Sequence, residues 1–299
     1  MSTSIYLSGK EVQVVKGSVT RDKVVISSSE RRPLPDGALI NGVITNSDSV
    51  AAVLDRMRTD GLLSDKKLRL VVDSSLFMVK LVELPKLNEK KLLRLARNEM
   101  LEFEEGHGEL IYDYTDLGAT EDGKHQRVLC CAVERKFVES YAEVFDGLAL
   151  KLEAIDLSLN CVLKLVRLID ALQQKTFILS VMDGNNMTAA LFQNGVYAFS
   201  NRSRLLAEPD TPNFGAELAG KISSFVQFNQ SEKSPYSIEA AYFCGLGSES
   251  LPFYRDIHET LGIEAGPLPA FPQVDRSAGD DGSYRLSDFL FATGGLIRK

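Results

Sequence analysis

Histidine, cysteine and long apolar runs are all scarce in this 299-residue chain, and each scarcity removes a class of function. The 3 histidines (His107, His125, His258) stand at no ligand spacing from one another, and the 4 cysteines (Cys130, Cys131, Cys161, Cys244) form no CxxC pair. Both facts argue against a structural metal site. On a strand, Cys130 and Cys131 would point to opposite faces, which suits neither a disulfide nor a zinc clip. No stretch reaches the ~18–20 apolar residues of a membrane helix. The start, Met1-Ser2-Thr3-Ser4-Ile5, lacks the basic and then apolar pattern of a secretory signal. These absences lead to the expectation of a cytosolic protein. Basic charge is also short, with Lys+Arg 34 against Asp+Glu 41 and a net charge of -7. A duplex binder needs a basic surface to release phosphate counterions, so nucleic acid is not an expected partner.

What is present is an ordinary globular composition, 44% hydrophobic and 25% charged, over a length that suits two domains or one large α/β unit. Ser4–Leu7, Glu11–Gly17 and Lys23–Ser29 read as three strands, with Ser8-Gly9-Lys10 as the first tight turn and Arg31–Gly37 as a loop. Ser47-Asp48 caps a helix with Val50, Val53, Leu54 and Met57 at helical spacing, and Lys67–Asp73 is apolar enough for a buried strand. Phe77–Leu84 is a strand ended by Pro85. Asn88 then caps a helix carrying Leu92, Ala96, Met100 and Phe103. A hairpin, Ile111–Leu117 with Gln126–Glu134, and a helix with Phe137, Tyr141, Val144 and Phe145 complete an α+β unit. Its length would let it bury a small core of its own. Leu157–Leu172 has almost no polar face, which predicts a helix buried between layers.

The opening pattern then returns. Thr176–Met182 is a strand, Asp183-Gly184-Asn185-Asn186 a turn, Thr188–Phe192 a strand, Asn194-Gly195 a hairpin turn and Val196–Ser200 a third strand. A helix with Leu218, Ile222, Phe225 and Val226 follows, and then the strand Ala240–Cys244 running into Gly245-Leu246-Gly247-Ser248. Gly266–Gly282 reads as a surface loop, and a helix from about Ser287 closes the chain. Two β-β-β units thus recur about 170 residues apart, as a structural repeat without visible identity. Such units feeding helices predict two α/β lobes across a cleft, with both first turns pointing into it.

A glycine-containing turn can offer backbone N–H groups to a phosphate. The candidates are Ser8, Gly9 and Lys10 in the first turn, Asp183, Gly184 and Asn185 in the second, and Gly245, Gly247 and Ser248 before a helix. Each has a plainer reading. Lys10 at a hairpin tip is commonly just solvated, Asp-Gly-Asn-Asn is ordinary turn chemistry, and Cys244 on an apolar strand is a small core residue. Arg94 and Arg97 on the polar face of the Asn88 helix could pair with a partner's tail or simply face water.

In combination these features resemble the actin-like nucleotide-binding superfold, and more narrowly the PilM family of type IV pilus assembly proteins. That family is related to the cell-division protein FtsA and to the cytoplasmic part of the type II secretion L protein. The resemblance is carried by Gly42-Val43-Ile44 through Val50–Leu54, by Leu81-Val82-Glu83-Leu84-Pro85-Lys86-Leu87 with the helix ending Arg97-Asn98-Glu99, by Ala241–Ser248, and by Phe291-Ala292-Thr293-Gly294-Gly295-Leu296-Ile297-Arg298. It spans nearly the whole chain.

The resemblance implies an α/β, actin-like two-lobed fold of duplicated β-β-β-α-β-α units. Residues 1–74 with 157–175 would form the first lobe, 75–156 an inserted α+β subdomain, and 176–299 a second lobe with a reduced 2B region. It also implies a cytoplasmic adaptor of the pilus platform. Such an adaptor binds the short N-terminal tail of a PilN-like bitopic membrane protein and other platform proteins, and touches the inner membrane only through that partner. ATP with Mg²⁺ would sit in the cleft. The sequence departs from that pattern there: Leu7–Glu11 has no strand Asp, Val181 falls where the second loop's Asp belongs, and Asp183 falls on its Gly. Magnesium tolerates little geometric error, so ATP hydrolysis is not expected and the reading is non-enzymatic. The alternatives are an actin-like ATP-binding protein or ATPase, a sugar-kinase relative, and a type II secretion L-like component. An FtsA-like tether to membrane is disfavoured because the chain stops at Leu296-Ile297-Arg298-Lys299 without a basic, aromatic-rich helix.

Overall fold

Alternating apolar residues build two sheets with the same wiring. A computed structural model describes residues 1–63, 68–120, 122–208, 211–246, 251–277 and 284–298. The chain opens with an antiparallel meander of β1 (Ser2–Leu7), β2 (Glu11–Val19) and β3 (Val24–Pro33). A short ribbon follows, β4 (Leu39–Ile40) with β5 (Val43–Ile44), then helix α1 (Ser47–Thr59) and β6 (Leu68–Val72), which lies parallel beside β1. Next come β7 (Met78–Pro85), α2 (Glu89–Glu99), β8 (Leu110–Ala119), β9 (His125–Glu134) and α3 (Arg135–Gly147). β10 (Leu152–Leu157) then pairs parallel with β6 and leads into α4 (Ser158–Leu168).

The second meander is β11 (Phe177–Asp183), β12 (Asn186–Gln193) and β13 (Val196–Arg204). It is followed by α5 (Pro212–Ser231), β14 (Ala240–Cys244), α6 (Leu251–Leu261), β15 (Glu264–Pro267), β16 (Val274–Arg276) and α7 (Leu290–Gly295). The strand orders are β10-β6-β1-β2-β3-β16 and β13-β12-β11-β14-β15. In each sheet the first strand of a meander carries two parallel strands on its far side. The expected duplication is therefore present, with β16 sent back to extend the first sheet beside β3.

Several boundaries differ from those read in the sequence. Arg31 and Arg32 continue β3 instead of forming a loop: Glu11 pairs with Pro33, and the Arg31 guanidinium lies 4.9 Å over the Phe289 ring, so its stem covers apolar surface. The α1 cap is Asn46, whose side chain accepts from the Ser49 N–H at 3.0 Å. Helix α2 stops at Glu99 and a 3₁₀ turn carries Phe103; α4 stops at Leu168 and a 3₁₀ turn carries Leu172. The segment read as a surface loop contains β16 and the end of β15, and the closing helix begins at Leu290. The Asn88 cap is as expected, accepting from the Lys91 N–H at 3.1 Å, and Asn194-Gly195 turns with both φ angles positive (50° and 75°).

Packing runs in layers. α1 and α3 cover the outer face of the first sheet with Val50, Leu54, Met57, Phe137, Tyr141 and Phe145, while α5 and α6 cover the outer face of the second. Between the sheets lie α4 and α7, packed with residues of both, including Tyr6, Val71, Phe177, Leu179 and Phe192. This explains why α4 lacks a polar face. The three-stranded sheet β7-β9-β8 closes on α2 through Leu84, Leu92, Ala96, Met100, Val128 and Cys130. Its neighbour α3 turns the other way: Phe137 stacks edge-on to Phe77 and Tyr141 at 5.5 Å, and the Tyr141 hydroxyl donates to the Gly42 carbonyl. Residues 75–156 therefore share a core with the first sheet through α3. Among the described residues no helix is long and apolar enough to cross a membrane.

A close contact is made by α7, all six of whose residues are buried. A Cβ on Gly294 would lie 2.4 Å from the Cys161 carbonyl oxygen, and one on Gly295 would lie 2.2 Å from the Ser4 hydroxyl. Gly294→Ala is expected to cost about 1–3 kcal/mol in chemical denaturation, because the obstructing atom is backbone. Gly220→Ala, in the exposed interior of α5 with nothing within 4 Å, is expected to add about 0.5–1 kcal/mol. Equal effects at the two sites would contradict the packing described.

Candidate site in the interlobe cleft

The first turns of the two meanders meet. Each follows a strand in the middle of its sheet, and the shared α4–α7 layer lies between the sheets, so that the turn after β1 faces the turn after β11. Around them is a cleft of about 370 Å³ whose lining includes Tyr6, Ser8, Lys10, Asp183, Gly184 and Gly245, and also Arg31, Arg285 and Asp288.

At the β1–β2 turn the backbone donors are taken by the protein itself. The Ser8 N–H bonds the Glu11 carbonyl at 3.0 Å, and the Ser8 hydroxyl oxygen accepts from the N–H groups of Lys10 (3.1 Å) and Glu11 (3.0 Å). The remaining donor, the Gly9 N–H, crosses the cleft to the Asp183 Oδ2 at 3.3 Å. The Lys10 side chain lies across Gly184, where a Cβ would come within 2.7 Å of its Cε; Gly184 has φ +58°. Burial raises the Asp183 carboxyl above its ordinary 3.8, against the lowering effect of the Gly9 N–H and the Ser8 hydroxyl, with Asp73 adding repulsion and Arg202 attraction.

Beneath Asp183, a second cross-lobe cluster centres on Asp73 at the end of β6. Its carboxylate accepts from the Ser158 hydroxyl at 2.5 Å and the Thr188 hydroxyl at 3.3 Å, and it faces the Arg202 Nε at 3.2 Å. That last contact is close but poorly aligned, an ion pair without a formed Nε–H hydrogen bond. The other end of Arg202 donates to the Asn41 side chain, which also accepts from the Ser75 N–H at 3.1 Å. The Tyr6 hydroxyl is buried among these groups without a hydrogen-bond partner among the described residues, and burial, then Asp183 and Asp73, raises its pKa well above the ordinary 10.0.

The structure places the sequence-derived candidates unevenly. Ser8, Lys10, Asp183, Gly184 and Gly245 line the cleft, and Gly9 donates across it. Asn185 does not line it: its amide turns to the Glu208 carboxylate at 3.0 Å. Gly245 (φ +77°) is pressed on the Met182 carbonyl, 2.2 Å from where its Cβ would be, and its N–H goes to the Ser287 carbonyl at 2.9 Å. Gly247 and Ser248 lie outside the described residues. Arg94 and Arg97 are on α2, away from the cleft lining; Arg97 lies 5.2 Å over the Tyr112 ring and 3.7 Å from Glu104.

Sequence reasoning missed Tyr6, Asn41, Asp73 and Arg202. Only Asp73 carried a signal, a carboxylate closing an apolar strand. Cys244 is buried and its thiol raised by that burial, as fits a core residue. Among the described residues no group of His, Cys, Asp and Glu could hold a metal ion.

Two like-wired sheets, a helical layer between them and paired turns in the cleft define an actin-like fold. No protein-family model matches the chain, and no curated protein matches it by sequence. Solved structures do. The chain is similar to a chain of the PilM–PilN type IV pilus biogenesis complex, with TM-score 0.80 at 16% identity over 99% of both chains. It is also similar to a protein of actin-like ATPase fold and unknown function from Bacteroides thetaiotaomicron (TM-score 0.55, 11% identity, 98% and 95% covered). The third likeness is to the cytoplasmic domain of EpsL, an inner-membrane component of the Vibrio cholerae type II secretion system (TM-score 0.50, 9% identity, 99% and 95% covered).

The Asp183 environment gives a pH test. A carboxyl whose folded pKa is raised holds its proton more tightly folded than unfolded, so it withdraws stability as pH rises from its unfolded value through its folded one. Asp183→Asn lacks that titration. Its melting temperature minus that of the unsubstituted protein is expected to grow as pH rises from about 3.8 and then level off. A difference that stays constant or shrinks would contradict the assigned cost of burial.

Proposed function

We propose that this protein is a non-catalytic adaptor of a type IV pilus or related secretion platform, and that its actin-like body binds the N-terminal cytosolic tail of a PilN-like bitopic membrane protein. The observation that carries the reading is the end-to-end likeness, inserted unit included, to a chain of the PilM–PilN complex. The likeness to the EpsL cytoplasmic domain supports the wider class, a component standing under an inner-membrane assembly. In this reading the protein is cytoplasmic and reaches the membrane through its partner.

The cleft chemistry supports a scaffold over an ATPase. Phosphate binding by a turn needs donors that face outward unpaired. Here those of Gly9, Lys10 and Glu11 already bond Asp183 and Ser8, and that of Gly245 bonds Ser287. A nucleotide phosphate would also meet the Asp183 carboxylate at close range and like charge, with no metal-binding cluster among the described residues to offset it.

Two measurements test this. Calorimetric titration with a soluble synthetic peptide of the cognate membrane protein's tail is expected to give one-site binding in the micromolar range or tighter; absence of heat at high micromolar peptide would refute the tail-binding role. Thermal melting in Mg-ATP is expected to show no shift. A bound ligand at 100 times its dissociation constant would add about 2.7 kcal/mol, so a clear rise in melting temperature would restore the nucleotide reading.

A further inference from the structure

We propose that Asp183 is an internal anion, seated on the β1–β2 turn from the opposite lobe, and that this contact closes the turn to phosphate-type anions from solution. The turn has the chemistry of an anion cradle. Of the backbone N–H groups of Ser8 to Glu11, that of Ser8 bonds the Glu11 carbonyl, those of Lys10 and Glu11 bond the Ser8 hydroxyl, and that of Gly9 points out across the cleft from a tip where glycine permits close approach. Three of the four donors are satisfied within the turn. The fourth, on Gly9, reaches the Asp183 carboxylate 174 residues away at 3.3 Å. A carboxylate oxygen there stands where an oxygen of a phosphate would stand, and it carries the same sign of charge.

The surroundings fit an anion in that position. Lys10 folds across Gly184 directly beside Asp183, its Cε lying where a Cβ on Gly184 would come within 2.7 Å. Arg31 and Arg285 line the same cleft, and both pair with Asp288, Arg31 at 3.6 Å and Arg285 at 2.9 Å. Tyr6 lines the cleft as well, and its hydroxyl, buried and without a hydrogen-bond partner among the described residues, is a further donor close to the carboxylate. Burial of the Asp183 carboxylate disfavours its charged form, so the contact is held in place by the fold rather than by the carboxylate's own preference. It is an autoinhibitory contact that also joins the two lobes.

Removing the carboxylate should open the cradle. Inorganic pyrophosphate is the probe, titrated without metal into the full chain and into Asp183→Ala, with binding read by calorimetry and by phosphorus NMR line broadening. The unsubstituted protein is expected to bind nothing measurable at millimolar pyrophosphate. Asp183→Ala is expected to bind at least tenfold more tightly than that limit, and Lys10→Ala in the same background to lose the gain. If Asp183→Ala does not give a cooperative melt, Asp183→Ser takes its place, a smaller polar side chain that relieves the charge. Equal binding by the unsubstituted and Asp183 variants, or none by either, would overturn the proposal. The peptide titration above is independent of this outcome, because tail binding does not require the cradle to be open or closed.

Discussion

The approach of α7 to α4 and β1 is the contact on which the rest of the molecule depends. Gly294 rests on the Cys161 carbonyl and Gly295 on Ser4 and Val71, so no side chain separates the last helix from the centre of the fold. Arg69 on β6 completes the junction by donating to the Leu296 carbonyl at the end of α7, while Lys164 on α4 donates to that of Ile297 at 2.7 Å. These carbonyls would otherwise be left without partners at a buried helix end. The layer so formed has a sheet on each face, and its thickness sets how far apart the two meanders stand.

That spacing brings the β1–β2 and β11–β12 turns within hydrogen-bond reach of each other. A cleft between duplicated lobes is usually bridged by a ligand; here it is bridged by the chain's own groups. Asp183 meets Gly9, Lys10 lies over Gly184, and Asp73 with Arg202, Thr188 and Asn41 forms a second bridge below. A buried ion pair such as Asp73–Arg202 adds little net stability against an apolar replacement, yet breaking one side of it is costly, so it fixes geometry more than it adds stability. The two sheets are thus joined across the cleft at two levels, by Asp183 with Gly9 and by Asp73 with Arg202 and Thr188.

Much of this architecture was legible in the residues. The recurrence of strand, turn, strand, turn, strand at Ser4 and again at Thr176 gave the duplication, and the nearly continuous apolar surface of Leu157–Leu172 placed α4 between layers, because period and hydrophobicity are local properties. The miss at Arg31–Pro33 and Val274–Arg276 has the opposite origin. Those strands exist through pairing with Glu11–Gln13 and with Val24–Ile26, partners distant in sequence, and nothing in their own composition signals it. The candidate site divides likewise. Glycine turns reveal Gly9 and Gly184, but the Asp183 carboxylate reads as turn chemistry until the opposing lobe supplies a donor. Tyr6, Asn41 and Arg202 matter only through neighbours across the cleft.

The most direct test of a cleft closed by its own side chains is the distance between lobes in solution, measured by double electron–electron resonance with one spin label on α1 and one on α5. A cleft bridged in this way should give a single narrow distribution for the protein alone, unchanged by Mg-ATP. A broad or two-peaked distribution that nucleotide sharpens to the shorter distance would contradict it.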